Sequence, residues 1–150
     1  MSADRLVIDA SVGLKWVIDE TGSDEAVQLL DAGRRLLAPA LFWVEAANAL
    51  ATKVRKGELS QASANDAWRD LAEAPIETLA MTPENLSPAL ALANDLKHPV
   101  YDCCYLAAAI GNDCQVATAD KRFADAVSAH PNLAKRVRLV GKNNEASAIS

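Results

Sequence analysis

The sequence predicts an α/β fold, a three-layer sandwich with a central, mostly parallel sheet flanked by helices. Three observations predict it. Five short β-favouring runs, RLVID, RLLAP, IETL, QVATAD and RVRLV, alternate with stretches of helical periodicity. No internal repeat and no linker divides the 150 residues, a length suited to one hydrophobic core. Two of the runs end in an acid, Asp9 and Asp120, and in open parallel sheets ligands bind beyond the carboxyl ends of the strands.

Each element has a local reason. RLVID, residues 5–9, is the first strand. SVGLKWVI then places Leu14, Val17 and Ile18 at helical spacing, with Ser11 positioned to cap. SDEAVQLLDAG, residues 23–33, reads as a helix with acids in its first turn and Gly33 near its end. RLLAP, residues 35–39, is a strand stopped by Pro39. A long helix over 41–56 closes at the basic VRKG, with Gly57 as its C-terminal cap. Ser60 opens a helix over 60–74, and IETL, residues 76–79, is the third strand. Thr82-Pro83-Glu84 starts a helix running to Lys97, with proline at its first position; Pro88 leaves a start near Ser87 as the alternative. DCCYLAAAIGND, residues 102–113, is a helix ending at Gly111-Asn112. QVATAD, 115–120, is a strand, KRFADAVSA a short helix, and RVRLV, 136–140, the last strand. The reading is a single domain over 1–142 with a polar tail over 143–150.

Composition narrows the functional classes. Apolar residues make up 51% and charged residues 23%, ordinary for a globular protein. The start MSADRLVID has Asp4 where a signal peptide needs a basic and then apolar stretch. No uncharged apolar stretch reaches the roughly 18 residues of a membrane span. A cytoplasmic protein without a membrane partner is expected. Cys103, Cys104 and Cys114 are odd in number and lack CxxC spacing, so they read as small buried side chains. Net charge is −5 but uneven: residues 1–120 hold nine basic and eighteen acidic side chains, residues 121–150 six basic and two acidic. An acidic body with a basic end is compatible with nucleic acid meeting one face.

Four acids stand in apolar settings: Asp9 after RLVI, Glu45 inside APALFWVEAANAL, Asp102 before CCYLAAAI and Asp120 after QVATA. Singly, each has a plain structural reading as a cap or turn residue. Together the predicted topology brings them to one sheet edge. Glu45 projects from the long helix with Asn48 and Ala49 one turn on. Two carboxylates ~4 Å apart repel by about 1 kcal/mol in water and about 4 kcal/mol at an effective dielectric near 20. Such a cluster needs protons or a divalent cation, and all-oxygen ligands favour Mg²⁺ or Mn²⁺ over Zn²⁺. Neither His98 nor His130 falls at a ligand spacing. A carboxylate-held Mg²⁺ suits phosphoryl chemistry, polarising a phosphate oxygen and acidifying water. GxxxxGK[ST] and GxGxxG phosphate motifs are absent.

LVIDASVGLKWVIDE, FWVEAANAL, HPVYDCCYLAAA and ATADKRF resemble the four motifs of PIN-domain ribonucleases, and more narrowly the VapC-type toxins of toxin–antitoxin pairs. The likeness spans about residues 6–123. It implies that Asp9, Glu45, Asp102 and Asp120 are the catalytic, metal-binding acids. Ser11 matches the small polar residue after the first acid, Thr118 the hydroxyl residue before the last, and Asn48 a polar position on the glutamate helix. It further implies Mg²⁺- or Mn²⁺-dependent endonucleolytic cleavage of RNA, a homodimer, and inhibition by a small cognate antitoxin. On this reading the three aspartates bind metal directly and Glu45 directly or through water. Lys15, Lys121 and Arg122 are candidate phosphate contacts. Trp16, Phe42, Trp43 and Tyr105 read as core or dimer contacts. The rivals are another metal-dependent phosphohydrolase and a non-catalytic interaction module on the same fold. A haloacid-type phosphatase would want Asp-x-Asp after the first strand, whereas this chain has Asp9-Ala10-Ser11.

Overall fold

A computed structural model describes residues 1–141; the end of the predicted domain at 142 and the predicted tail over 143–150 lie outside the described residues. Among the described residues five strands form one sheet: β1 (Arg5–Ile8), β2 (Arg35–Pro39), β3 (Ile76–Leu79), β4 (Gln115–Thr118) and β5 (Val137–Leu139). Their order across the sheet is β3-β2-β1-β4-β5, and every pairing is parallel. Among the described residues seven α-helices flank it: α1 (Ala10–Gly13), α2 (Ser23–Asp31), α3 (Leu41–Arg55), α4 (Gln61–Ala72), α5 (Pro83–Leu96), α6 (Val100–Gly111) and α7 (Lys121–Ser128). The result is the three-layer α/β sandwich.

The central strand explains itself. Leu6, Val7 and Ile8 of β1 are all buried, as a strand covered on both faces requires. Val7 registers with Leu37 on one side and Val116 on the other. From β1 the chain builds outward to β2 and β3, then returns through α5 and α6 to lay β4 on the opposite flank of β1. The order therefore reverses between β1 and β4, the switch point where such sheets open a crevice at their carboxyl ends. Asp9 directly follows β1, and Asp120 lies two residues beyond β4.

Helix termini differ from the sequence expectation in instructive ways. SVGLKWVI does not remain α-helical. α1 ends at Gly13 and a 3₁₀ turn carries Leu14–Trp16. A Cβ on Gly13 would stand 2.5 Å from the buried Phe42 ring, so this close approach of α1 to α3 requires glycine. Ser11 does not cap α1. Asp9 occupies the N-cap position, and the Ser11 hydroxyl turns to the Asp9 carboxylate instead. α5 begins at Pro83 behind a Thr82 cap whose hydroxyl accepts from the Asn85 amide, and it contains Pro88. α6 begins at Val100, two residues earlier than expected, because Pro99 takes the cap position. Asp102 thereby falls in the first turn, where the helix dipole favours a carboxylate. Cys103, Cys104 and Cys114 are buried free thiols, and burial pushes Cys103 up to about 11. Among the described residues no helix is long and apolar enough to cross a membrane.

Candidate active site

At the switch point, two hydroxyls converge on one carboxylate oxygen. Asp9 is only 5% exposed. Its Oδ2 accepts from the Thr118 hydroxyl at 2.6 Å and the Ser11 hydroxyl at 2.9 Å. Each hydroxyl oxygen accepts a backbone amide in turn: Asp120 N–H donates to Thr118 Oγ1 at 3.1 Å, and Ala119 N–H to Ser11 Oγ at 3.0 Å. The loop after β4 is thus tied to the loop after β1 through the Asp9 carboxylate. Two hydroxyls do not offset the loss of water. Burial, with smaller contributions from the charges of Asp102 and Glu45, raises the Asp9 carboxyl to about 6, against the pull of those hydrogen bonds.

The other acids are gripped in the same one-sided way. Glu45 stands on α3, where Phe42, Ala46 and Leu50 form the buried stripe and Glu45 sits half-buried at its margin. The Tyr105 hydroxyl donates to Glu45 Oε1 at 2.6 Å. Tyr105 is fully buried in the core, and burial pushes its phenol far above the usual range, so it acts there as a neutral donor. Burial also raises the Glu45 carboxyl, opposed by Tyr105 and reinforced by Asp102. His98 Nε2 lies 2.7 Å from Asp102 Oδ2. Asp120 caps α7, its Oδ1 accepting from Phe123 N–H at 3.2 Å. Each acid is therefore held by one oxygen: Oδ2 of Asp9 and Asp102, Oε1 of Glu45 and Oδ1 of Asp120. Among the described residues the second oxygen of each has no hydrogen-bond partner.

All four acids line one cavity of about 400 Å³, together with Ser11, Lys15, Glu20, Ala49 and Lys53. They do not yet form a closed ligand set: among the described residues no three Asp, Glu, His or Cys side chains are close enough to hold one ion. The expected polar partner Asn48 is not in this wall. It is exposed, and the stripe facing the cavity runs Glu45, Ala49, Lys53, at i, i+4 and i+8. Lys15 does line the cavity, its Nζ 3.2 Å from Glu20 Oε1, while Lys53 Nζ lies 3.6 Å from Glu20 Oε2. Lys121 pairs with Asp125 at 2.7 Å and lies outside the cavity lining. Arg122 lines a neighbouring cavity that shares Asp102 and Asp120. Trp16 packs against the core and donates its indole N–H to Ala26 O at 2.8 Å.

Residues 6–128 match the model of the PIN domain. The chain belongs to the PIN domain family. No curated protein matches it. Among solved structures, this PIN domain is similar in fold to VapBC2 from Rickettsia felis bound to a DNA fragment from its promoter. That likeness has 11% identity and a TM-score of 0.63, covering 91% of this chain and 98% of the other. It is also similar to VapC20 of Mycobacterium tuberculosis, described as a sarcin–ricin loop cleaving toxin, at 13% identity and TM-score 0.61 over 81% and 94% of the two chains. A toxin–antitoxin complex from Klebsiella pneumoniae matches at 14% identity and TM-score 0.57, over 78% and 88%.

Within this PIN domain, sequence reading missed four residues of the site. Lys53 was visible in principle as the third member of the Glu45 stripe. Tyr105 and His98 have weaker signals. Tyr105 reads as core until α6 brings its hydroxyl to Glu45 of α3. His98 has no ligand spacing in the sequence, whereas its partner is a carboxylate four residues on. Glu20, which bridges Lys15 and Lys53, had no signal at all.

Proposed function

We propose that this PIN domain is a Mg²⁺- or Mn²⁺-dependent endoribonuclease, acting in the cytoplasm as the toxin of a toxin–antitoxin pair. The single observation that carries this reading is the shared cavity at the sheet's switch point. Four carboxylates face it, each fixed by one oxygen and free at the other. The donor set fits the ion. The four acids offer carboxylate oxygens, the choice of hard divalent cations. Asp9, Asp102 and Asp120 would hold the metal, with Glu45 joining directly or through water. A bound Mg²⁺ or Mn²⁺ supplies Lewis-acid polarisation of the phosphate and makes water nucleophilic near neutral pH.

The protein's own residues do the rest. Ser11 and Thr118 lock the Asp9 carboxylate, and with it the relative position of the two strand-end loops. Tyr105 aims Glu45, and His98 aims Asp102. Lys15 and Lys53, on the rim of the same cavity, are the candidate contacts for the phosphate backbone, with Glu20 holding both. The toxin assignment is supported by likeness in fold to VapC20, VapBC2 and the Klebsiella complex. Exposed apolar side chains, Val44 of α3, Leu90 of α5 and Tyr101 of α6, offer contact surface for the homodimer and the antitoxin.

The test is cleavage of total RNA by the purified chain with Mg²⁺, with Mn²⁺ and with EDTA, alongside Asp102→Asn. Metal-dependent cleavage lost in the folded variant is the expected result. RNA left intact under every metal condition, or a variant as active as the wild type, would reject the mechanism. Toxicity on induction, relieved by a co-expressed neighbouring open reading frame, tests the toxin role separately.

A further inference from the structure

The acidic cavity has a neighbour. Asp102 and Asp120 form a common wall between it and a second cavity of about 380 Å³, lined on its far side by Lys97, His98, Arg122 and Ala126. That volume falls within the roughly 300–1,000 Å³ of small-ligand sites. The two cavities differ in character. In the first, both lysines are committed to Glu20. In the second, Lys97 and Arg122 are exposed and, among the described residues, have no side-chain partner. His98 between them is immobilised. Its side chain is 10% exposed, Nε2 is bound to Asp102, and the ring packs 5.3 Å from that of Phe123. Its Nδ1 has no partner among the described residues.

Lys97 is also a backbone outlier. It caps α5 in the left-handed region, φ 52° and ψ 48°, a position that ordinarily selects glycine. A long cation at a strained backbone position beside a cavity points to a functional site.

We propose that this second cavity is a nucleotide subsite, taking the nucleotide that flanks the bond cleaved over the acidic wall. Arg122 and Lys97 meet its phosphate, and the fixed His98 ring offers a planar face and a hydrogen-bonding nitrogen to its base. An RNA strand would then cross the Asp102–Asp120 wall with one nucleotide in each cavity. The inference rests on the ribonuclease reading for the word "flanks", while the nucleotide site itself is testable without it.

The first experiment is nuclear magnetic resonance with EDTA present, titrating each 5′-nucleoside monophosphate and, separately, inorganic phosphate. Nucleotides should perturb the amides of residues 96–98 and 122–126, inorganic phosphate should do so more weakly, and Ala126→Phe, which fills the cavity, should abolish the effect. Shifts centred on Asp9 and Glu45, or unchanged in Ala126→Phe, would overturn the proposal. Equal response to inorganic phosphate would reduce the site to an anion site and overturn the base contact. Lys97→Gly guards against a folding artefact: relief of left-handed strain should raise Tm while nucleotide affinity falls, and unchanged affinity counts against the site. The second experiment is RNA cleavage. Ala126→Phe and Arg122→Ala should raise KM about tenfold with kcat largely kept, the loss of one nucleotide's contacts. If the wild type cleaves and both variants match its KM and cleavage pattern, the subsite is wrong and the ribonuclease reading stands. If the wild type cleaves no RNA, that reading fails and the titration alone decides the cavity.

Discussion

Replacing Asp9 with asparagine should stabilise the metal-free protein while removing its activity. The geometry permits a clean exchange. Both hydroxyls, Ser11 and Thr118, donate to the same oxygen, so the asparagine Oδ1 can accept both and the amide nitrogen falls where the unpartnered oxygen was. What changes is charge. Burial raises the folded carboxyl from 3.8 to about 6. The folded state therefore holds its proton more tightly than the unfolded chain. Well below the unfolded value of 3.8 both states are protonated and Asp9 costs nothing, and at pH 4 only about 0.5 kcal/mol of the difference is present. As pH rises from about 4 to 6 the unfolded chain ionises first, and wild-type stability falls. Above pH 6 the penalty is complete. At about 1.4 kcal/mol per pKa unit, it comes to ~3 kcal/mol. For a chain of this size that corresponds to roughly 6–12 °C in Tm. Thermal and urea unfolding in EDTA at pH 4.0 and 7.5 should show the variant and wild type close together at the lower pH and the variant ahead at the higher. A variant no more stable at pH 7.5, or a gap as wide at pH 4 as at pH 7.5, would refute the assignment of the raised carboxyl to Asp9.

Mn²⁺ should raise the wild-type Tm far more at pH 7.5 than at pH 5, because binding must displace the Asp9 proton; equal shifts at the two pH values in differential scanning fluorimetry would exclude Asp9 as a ligand. Tyr105→Phe removes the donor to the half-buried Glu45 and should cost about 1–2 kcal/mol in urea unfolding. It should also move the acid limb of the RNA-cleavage profile to higher pH, since that hydrogen bond lowers the Glu45 carboxyl. Gly13→Ala drives a methyl into the buried Phe42 ring and should destabilise the fold by about 1–3 kcal/mol, read from the urea midpoint at constant m-value.

The fold was legible in the sequence where one residue pattern had one outcome. RLVID reads as a strand ending in an acid, and the run of strands and helices admits few topologies. Termini were legible where capping chemistry was local. Ser60 and Thr82 cap through their own hydroxyls, as their neighbours predict. The errors came where a tertiary partner outbid the local one. Ser11 has the sequence of a helix cap, yet the Asp9 carboxylate and the Ala119 amide claim its hydroxyl, and both become available only when β1 and β4 pair. α6 starts before Asp102 because Pro99 supplies the extended backbone of a cap position without a capping side chain.

The site shows the same division. Four carboxylates in apolar surroundings are visible to anyone counting charges, because burying them is unfavourable. Their partners are not visible, because a tyrosine in a core helix or a histidine before a proline gives no sign of which acid it will meet. Asn48 illustrates the difference in geometric terms. It and Ala49 follow Glu45 by three and four residues, and either could share its face on spacing alone. The burial of Phe42, Ala46 and Leu50 in the core fixes the rotation of α3, and that rotation turns Ala49 and Lys53 to the cavity and Asn48 to solvent. Glu45 is therefore carried by the same stripe that buries the helix. Any change at Ala46 or Leu50 that rotates α3 should move the carboxylate before it unfolds the protein, so activity at this site should be more sensitive than stability to repacking of a core it does not touch.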